Sequence, residues 1–253
     1  QGGPAPELSG EVVEKFRAEM EKYQFADFVV HCPYYINFGS SRPQTYHGSI
    51  AIVRGELERT SLLGGQYVMF HTGSGKDLGK AKAIAQARQG LQHVLDGYNG
   101  SARLLIEIAA GAGEVLGDTF EEVAELMEPV KRHPGFGGVC FDTQHAWASG
   151  YNLQQPAAVF AEFGRAIGLN FLKMSHMNDS KTDLGSRKDR HEHIGGGLIG
   201  RNGFGMLLKY WSQNLKLKAG SHKTPGAFPL ILETEHDKVR TDIQVLKNLR
   251  DKI

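Results

Sequence analysis

Val139-Cys140-Phe141-Asp142 (VCFD) is apolar until its last position, where it ends in a carboxylate. An apolar run of this length reads as a strand buried on both faces, as in parallel sheets. Five further runs share the form: Phe28-Val29-Val30-His31, Tyr67-Val68-Met69-Phe70-His71, Leu104-Leu105-Ile106-Glu107, Phe171-Leu172-Lys173-Met174-Ser175-His176 and Pro229-Leu230-Ile231-Leu232-Glu233. Between them, helical patterns cover 49–63, 77–97, 119–130, 156–168, 202–213 and 237–251, and a further helix at 9–23 precedes the first strand. Ser9 is placed to cap that first helix, and Asp118 or Thr119 to cap the one at 119–130. Repeated strand–helix alternation predicts an α/β fold with a parallel sheet. No Pro- or Ser-rich linker divides the chain, so residues 1–253 read as one domain. Gly111-Ala112-Gly113 and Gly195 to Gly197 read as strand–helix loops that need a tight backbone.

Every run ends in His, Glu or Asp. Two residues earlier, on the same strand face, stand Val29, Met69, Leu105, Cys140, Met174 and Ile231, all apolar. Inward side chains of a barrel stack in layers, so these six predict one hydrophobic layer. Above it would stand a ring of His31, His71, Glu107, Asp142, His176 and Glu233. In (β/α) barrels this C-terminal face carries the catalytic groups. The fold class is therefore α/β, a TIM-barrel-like (β/α) barrel, incomplete, with six recognisable parallel strands.

Six carboxylates and imidazoles at one mouth cannot all stay charged and unpaired, because burial and like-charge repulsion oppose it. Divalent cations resolve the conflict. Imidazole nitrogen with carboxylate oxygen and no thiolate suits zinc, manganese or iron. His145 follows Asp142 by three and can reach the same mouth. In GSRKDRHEHIGGG, residues 185–197, Asp189 and His191 are two apart and point the same way if the segment is extended. With His145 they make a three-ligand set. The nine candidates suffice for three ions if one carboxylate bridges.

The formal net charge of +1 is not that of a protein that grips nucleic acid by bulk positive charge. No apolar run approaches the ~18–20 residues of a membrane span. Two cysteines, Cys32 and Cys140, make neither a disulfide scaffold nor a structural zinc finger. With no export leader in the sequence, an intracellular, cytoplasmic setting is expected. The chain opens Gln1-Gly2-Gly3-Pro4 without Met, and residues 1–8 read as a flexible or processed end.

Long segments resemble the endonuclease IV family of zinc-dependent apurinic/apyrimidinic endonucleases. They are His31-Cys32-Pro33-Tyr34-Tyr35-Ile36-Asn37, Phe70-His71-Thr72-Gly73-Ser74, Phe141 to Ala146 with Ala148-Ser149-Gly150-Tyr151, His176-Met177-Asn178-Asp179-Ser180-Lys181, Gly185-Ser186-Arg187 and Asp189-Arg190-His191. Ile231-Leu232-Glu233-Thr234 fits the family's last strand. The resemblance implies three zinc ions per chain, with manganese or iron also suited to some sites. It assigns His31, His71 and a bridging, catalytic Glu107 to the first ion. Glu107, Asp142, His176 and Glu233 would hold the second, and His145, Asp189 and His191 the third. It implies double-stranded DNA containing abasic sites as the partner and cleavage 5′ to the lesion, leaving a 3′-hydroxyl and a 5′-deoxyribose phosphate. Tyr34 matches a family residue that contacts DNA near the lesion. Lys181, Arg187 and Arg190 flank the third ion and are placed to hold phosphates, or are solvated loop charges.

The family's opening strand, helix and second strand have no counterpart among these residues, which leaves six strands. Unpaired edges at 28–31 and 229–233 predict self-association into a homo-oligomer and a weaker hold on DNA. Two other functions fit parts of the pattern: a metal-dependent sugar isomerase or epimerase of the same barrel type, and a non-catalytic remnant that binds abasic DNA. Gly73-Ser74-Gly75-Lys76 lacks the spacing of a phosphate loop. His47, His93, His133, His222 and His236 read as surface or local hydrogen-bond partners, His193 as a ligand-orienting or loop residue, and Trp147 and Trp211 as packing residues.

Overall fold

Eight strands and eight α-helices are seen in a computed structural model that describes residues 6–25, 27–215 and 228–253. The strands are β1 (Val29–His31), β2 (Tyr67–Phe70), β3 (Arg103–Glu107), β4 (Phe136–Asp142), β5 (Leu172–His176), β6 (Asp179–Ser180), β7 (His191–Glu192) and β8 (Leu230–Ile231). The helices are α1 (Gly10–Lys22), α2 (Pro43–Leu63), α3 (Lys80–Leu95), α4 (Phe120–Met127), α5 (Thr143–Ala148), α6 (Pro156–Ala166), α7 (Gly200–Tyr210) and α8 (Val239–Arg250). Six strands pair in the order β1-β2-β3-β4-β5-β8, every pair parallel, while β6 and β7 form a separate antiparallel ribbon. This is the expected incomplete barrel sheet. Gln1 to Pro4 and His222 lie outside the described residues.

The layer expected from strand parity is present. Met69, Leu105, Cys140 and Met174 are buried together with Tyr67, and Val29 and Ile231 pack against them. Each fully buried Met or Leu contributes about 1.5–3 kcal/mol relative to exposure. The alternate residues, including Val68, Phe70, Ile106, Val139 and Phe141, face the helices in a second cluster. The register shifts where Leu105 pairs with Gly138. Gly138 has φ +143, and a side chain there would run into the Phe171 carbonyl. This irregularity lies below the parity count, so the strand end keeps its phase.

Local chemistry sets the helix ends. Ser9 caps α1, and Thr119, not Asp118, caps α4 by accepting from Glu122 N–H at 3.2 Å. Three departures from expectation have physical reasons. Helix α2 starts at Pro43 rather than 49, because proline opens a helix at a position where its missing N–H costs nothing. Helix α5 has only six residues, too few for a periodic signal. Segment 181–190 is closed off by the β6–β7 ribbon, whose two-residue strands carry no alternation to read. No helix among the described residues is long and apolar enough to cross a membrane.

Candidate metal centre

All six strand-end groups stand at the C-terminal edge of the sheet, and Glu107 is their centre. It is fully buried at the end of β3. Its two oxygens are divided between neighbours. Oε2 lies 3.0 Å from His31 Nε2 and 3.7 Å from His71 Nε2. Oε1 lies 2.8 Å from His176 Nδ1 and 3.5 Å from His145 Nδ1. His176 Nδ1 in turn lies 3.1 Å from Glu233 Oε2 and 3.7 Å from Asp142 Oδ2. Ligand atoms of His31, His71 and Glu107 fall within 4.8 Å of one another, as do those of Glu107, Asp142, His176 and Glu233.

A third group forms beside these. Asp142 Oδ1 accepts from His145 N–H at 2.8 Å and so caps α5, which turns His145 toward the mouth. His145 Nδ1 donates to the Ile108 carbonyl at 2.9 Å, so Nε2 is the nitrogen that faces the mouth. That nitrogen is 3.4 Å from His191 Nε2 and 3.5 Å from Asp189 Oδ2, and Asp189 Oδ1 is 3.2 Å from His191 Nε2. Asp142 also lies within 4.8 Å of both imidazoles, so two carboxylates serve this pair.

The donor spacing fits metal ions. Ligands on a tetrahedral zinc are about 3.3 Å apart for bonds near 2.0–2.1 Å. The third group spans 3.2–3.5 Å and the other two 2.8–3.7 Å. His31 gives the same indication, since its Nδ1 donates to the Cys32 carbonyl at 2.7 Å and its Nε2 lone pair then faces a carboxylate oxygen. A cation, either a proton or a metal, must stand between them. Cys140 Sγ is also near Glu107 and His176, but burial pushes its thiol up to about 12, so it remains S–H and packs in the inner layer. Cys32 is buried likewise.

Without metal, protons fill the cluster unevenly. Burial works against protonation of His145 and His176. Asp142, Asp189 and Glu107 overcome it at His145, and the neighbouring Cys140 and Glu107 at His176, so both are held well above the ordinary imidazole range. His71 is pushed down by burial and by the neighbouring His145 and His31. Burial alone would raise Glu107, yet the surrounding imidazoles hold it well below the ordinary carboxylate range.

A family model described as a xylose isomerase-like TIM barrel matches residues 2–209. A protein of Bacillus licheniformis named "Probable endonuclease 4" is 36% identical over 247 residues, covering 93% of this chain and 78% of its own length. The chain belongs to the endonuclease IV family. The crystal structure of endonuclease IV from Thermus thermophilus superposes with a TM-score of 0.81 at 29% identity, over 99% of this chain and 85% of that one. A D-tagatose 3-epimerase-like protein superposes at 0.70 with 20% identity, over 96% of this chain and 84% of that one, a likeness of fold alone.

Several residues that the strand pattern did not single out hold this cluster in place. Asn178, fully buried, donates to Asp142 Oδ2 at 2.6 Å and to Glu233 Oε2 at 3.4 Å, and accepts from Glu233 N–H at 2.9 Å, so one amide orients two carboxylates. It lies two beyond His176, a spacing that could have marked it. Gln144 Nε2 donates to the Lys188 carbonyl at 2.9 Å and ties the Asp189 segment to α5. The glycine run wraps Asp179, whose carboxylate accepts from Gly195 and Gly197 N–H. A side chain at Gly197 would meet the Ser180 carbonyl.

A cleft of 540 Å³ opens over the cluster, lined among others by Tyr34, His71, His145, Arg187, Asp189 and Arg190. Tyr34 is 92% exposed. Lys181 and Arg190 are exposed at the ribbon. Arg187, expected as a phosphate holder or a solvated loop charge, is exposed at the cleft and also paired. Its guanidinium is engaged by Asp118 Oδ2 at 2.7 Å and the Gly111 carbonyl at 2.8 Å, while Lys80 holds the other Asp118 oxygen at 2.8 Å. His193 is neither free nor in the cluster; it lies 2.8 Å from Asp242. Trp147 and Trp211 are buried.

Proposed function

We propose that this chain is a metal-dependent endonuclease that cleaves the phosphodiester 5′ to an abasic site in double-stranded DNA, leaving a 3′-hydroxyl and a 5′-deoxyribose phosphate. The observation that carries the reading is three donor groups at one mouth, two of them sharing Glu107 through different oxygens. His31, His71 and Glu107 would hold one zinc, Glu107, Asp142, His176 and Glu233 a second, and His145, Asp189 and His191 a third. Bound there, zinc supplies Lewis-acid polarisation of phosphate oxygen and acidifies water toward neutral pKa.

The chain's own residues do the rest. Glu107 spans two groups and sets their separation. The Ile108 carbonyl fixes the His145 tautomer that presents Nε2. Asn178 holds Asp142 and Glu233 in one orientation. Without metal, protons on His145 and His176 offset part of the charge of Glu107, Asp142, Asp189 and Glu233, and divalent ions held there would add positive charge facing phosphate. Lys181 and Arg190 are placed for backbone phosphates, and the exposed Tyr34 ring for the gap left by a missing base.

Incubation with a duplex holding one synthetic abasic site, with and without chelator, tests this reading. A chelator-sensitive nick on the 5′ side is expected, with about three zinc ions per chain as the family arrangement implies. A zinc-loaded chain that leaves the duplex whole would overturn it. A sugar isomerase or epimerase usually needs one or two metals and leaves the His145–Asp189–His191 group without a purpose. Ketose turnover with two ions per chain would decide for that reading. Binding of abasic duplex without any nick would decide for a non-catalytic protein.

A further inference from the structure

Helix α8 buries a carboxylate in place of an apolar side chain. Asp242 is 1% exposed and is its one buried residue, while Val245, Leu246 and Leu249 are only partly covered. A buried anion is costly unless hydrogen-bonded, and among the described residues Asp242 has three partners, none on its own helix. Ile194 N–H donates to Oδ1 at 3.0 Å. Thr234 Oγ1 donates to Oδ2 at 2.7 Å, and His193 Nδ1 lies 2.8 Å from the same oxygen. His193 Nε2 is also 3.1 Å from Asp237.

These partners stand next to proposed ligands of two different ions. Thr234 adjoins Glu233, and His193 and Ile194 follow His191 by two and three. The sheet offers these segments little support, since β7 and β8 each have two residues and two register pairs. We propose that Asp242 is a positioning residue that braces His191 and Glu233 against each other, and thereby sets the third zinc in fixed relation to the second. This rests on the metal reading above. The brace acts through backbone and neighbours and touches neither metal nor substrate.

The test measures zinc retention against a competing chelator, with thermal unfolding of each metal-free chain. Asp242→Ala should weaken the most weakly held ion by about 10–100-fold, the scale for loss of a residue that supports ligands. Asp242→Asn keeps an acceptor for Ile194 N–H and offers an amide to His193, so its loss should be smaller. Leu246→Ala, on the same helix, should lower stability yet leave zinc affinity unchanged. Parent-like affinity in Asp242→Ala, or equal zinc loss in Leu246→Ala, overturns the brace. If Asp242→Ala does not fold, Thr234→Val decides: weaker zinc supports the brace and unchanged affinity removes it. An unsubstituted chain that binds no zinc removes the metal reading and the brace together. One that binds three, with Asp242→Ala unchanged, removes the brace alone.

Discussion

Asp179→Ala should destabilise the metal-free chain by about 2–6 kcal/mol. The Asp179 carboxylate is fully buried and accepts from five backbone N–H groups: Ser180 at 2.8 Å, Gly195 at 2.9 Å, Gly197 at 3.1 Å, Ile199 at 3.0 Å and Gly200 at 3.2 Å. Ser180 and Ile199 are fully buried, whereas the three glycines are partly exposed and can turn to water. Two orphaned buried donors at about 1–3 kcal/mol each give the stated range, a large part of the about 5–15 kcal/mol a domain holds. Asp179→Asn makes a sharper test. Ser180 and Ile199 donate to Oδ1, Gly195 and Gly197 to Oδ2, and Gly200 N–H lies 3.2 Å from both. An amide with its oxygen at the first position keeps both buried donors satisfied and should cost only about 1–2 kcal/mol. Urea unfolding in the presence of chelator, followed by far-ultraviolet circular dichroism, measures both variants. An Ala variant within about 0.5 kcal/mol of the parent, or an Asn variant as costly as Ala, would refute the accounting.

Three further outcomes are expected. Glu107→Gln removes the carboxylate shared by the first two groups, so zinc retained after dialysis should fall toward about one ion per chain, and retention of three would contradict the bridging role. Metal-free stability and zinc-dependent stability should respond oppositely to pH. In the metal-free chain His145 and His176 are raised above 6.5, so their contribution is present below that value and lost as pH rises through the folded-state pKa. Glu107 is lowered, so its contribution is lost only as pH falls through its folded value. Zinc takes the deprotonated ligands, so the Tm gain on adding zinc should grow over the interval in which the metal-free Tm declines. Parallel curves would refute this. Tyr34→Ala should leave Tm unchanged, because the ring is exposed, and weaken binding to abasic duplex by about 1–3 kcal/mol if the ring stacks at the lesion. An unchanged Kd in fluorescence anisotropy would remove Tyr34 from the contact surface.

The strands and their inner face were legible because side-chain alternation is covalent. Once Asp142 ends a strand, Cys140 must share its face, whatever the rest of the chain does. That local rule placed Met69, Leu105, Cys140 and Met174 in one layer and their polar neighbours at one edge. Resemblance to a family added the grouping of donors. The tertiary structure decided which groups meet and what holds them. Asn178 reaches Asp142 across 36 positions, and Asp242 reaches Ile194 across 48. Asp118 engages Arg187 across 69 positions, a contact no local pattern states. A sequence pattern carries period and residue type. A hydrogen bond between distant segments depends on distances and angles that exist only after the chain has closed on itself.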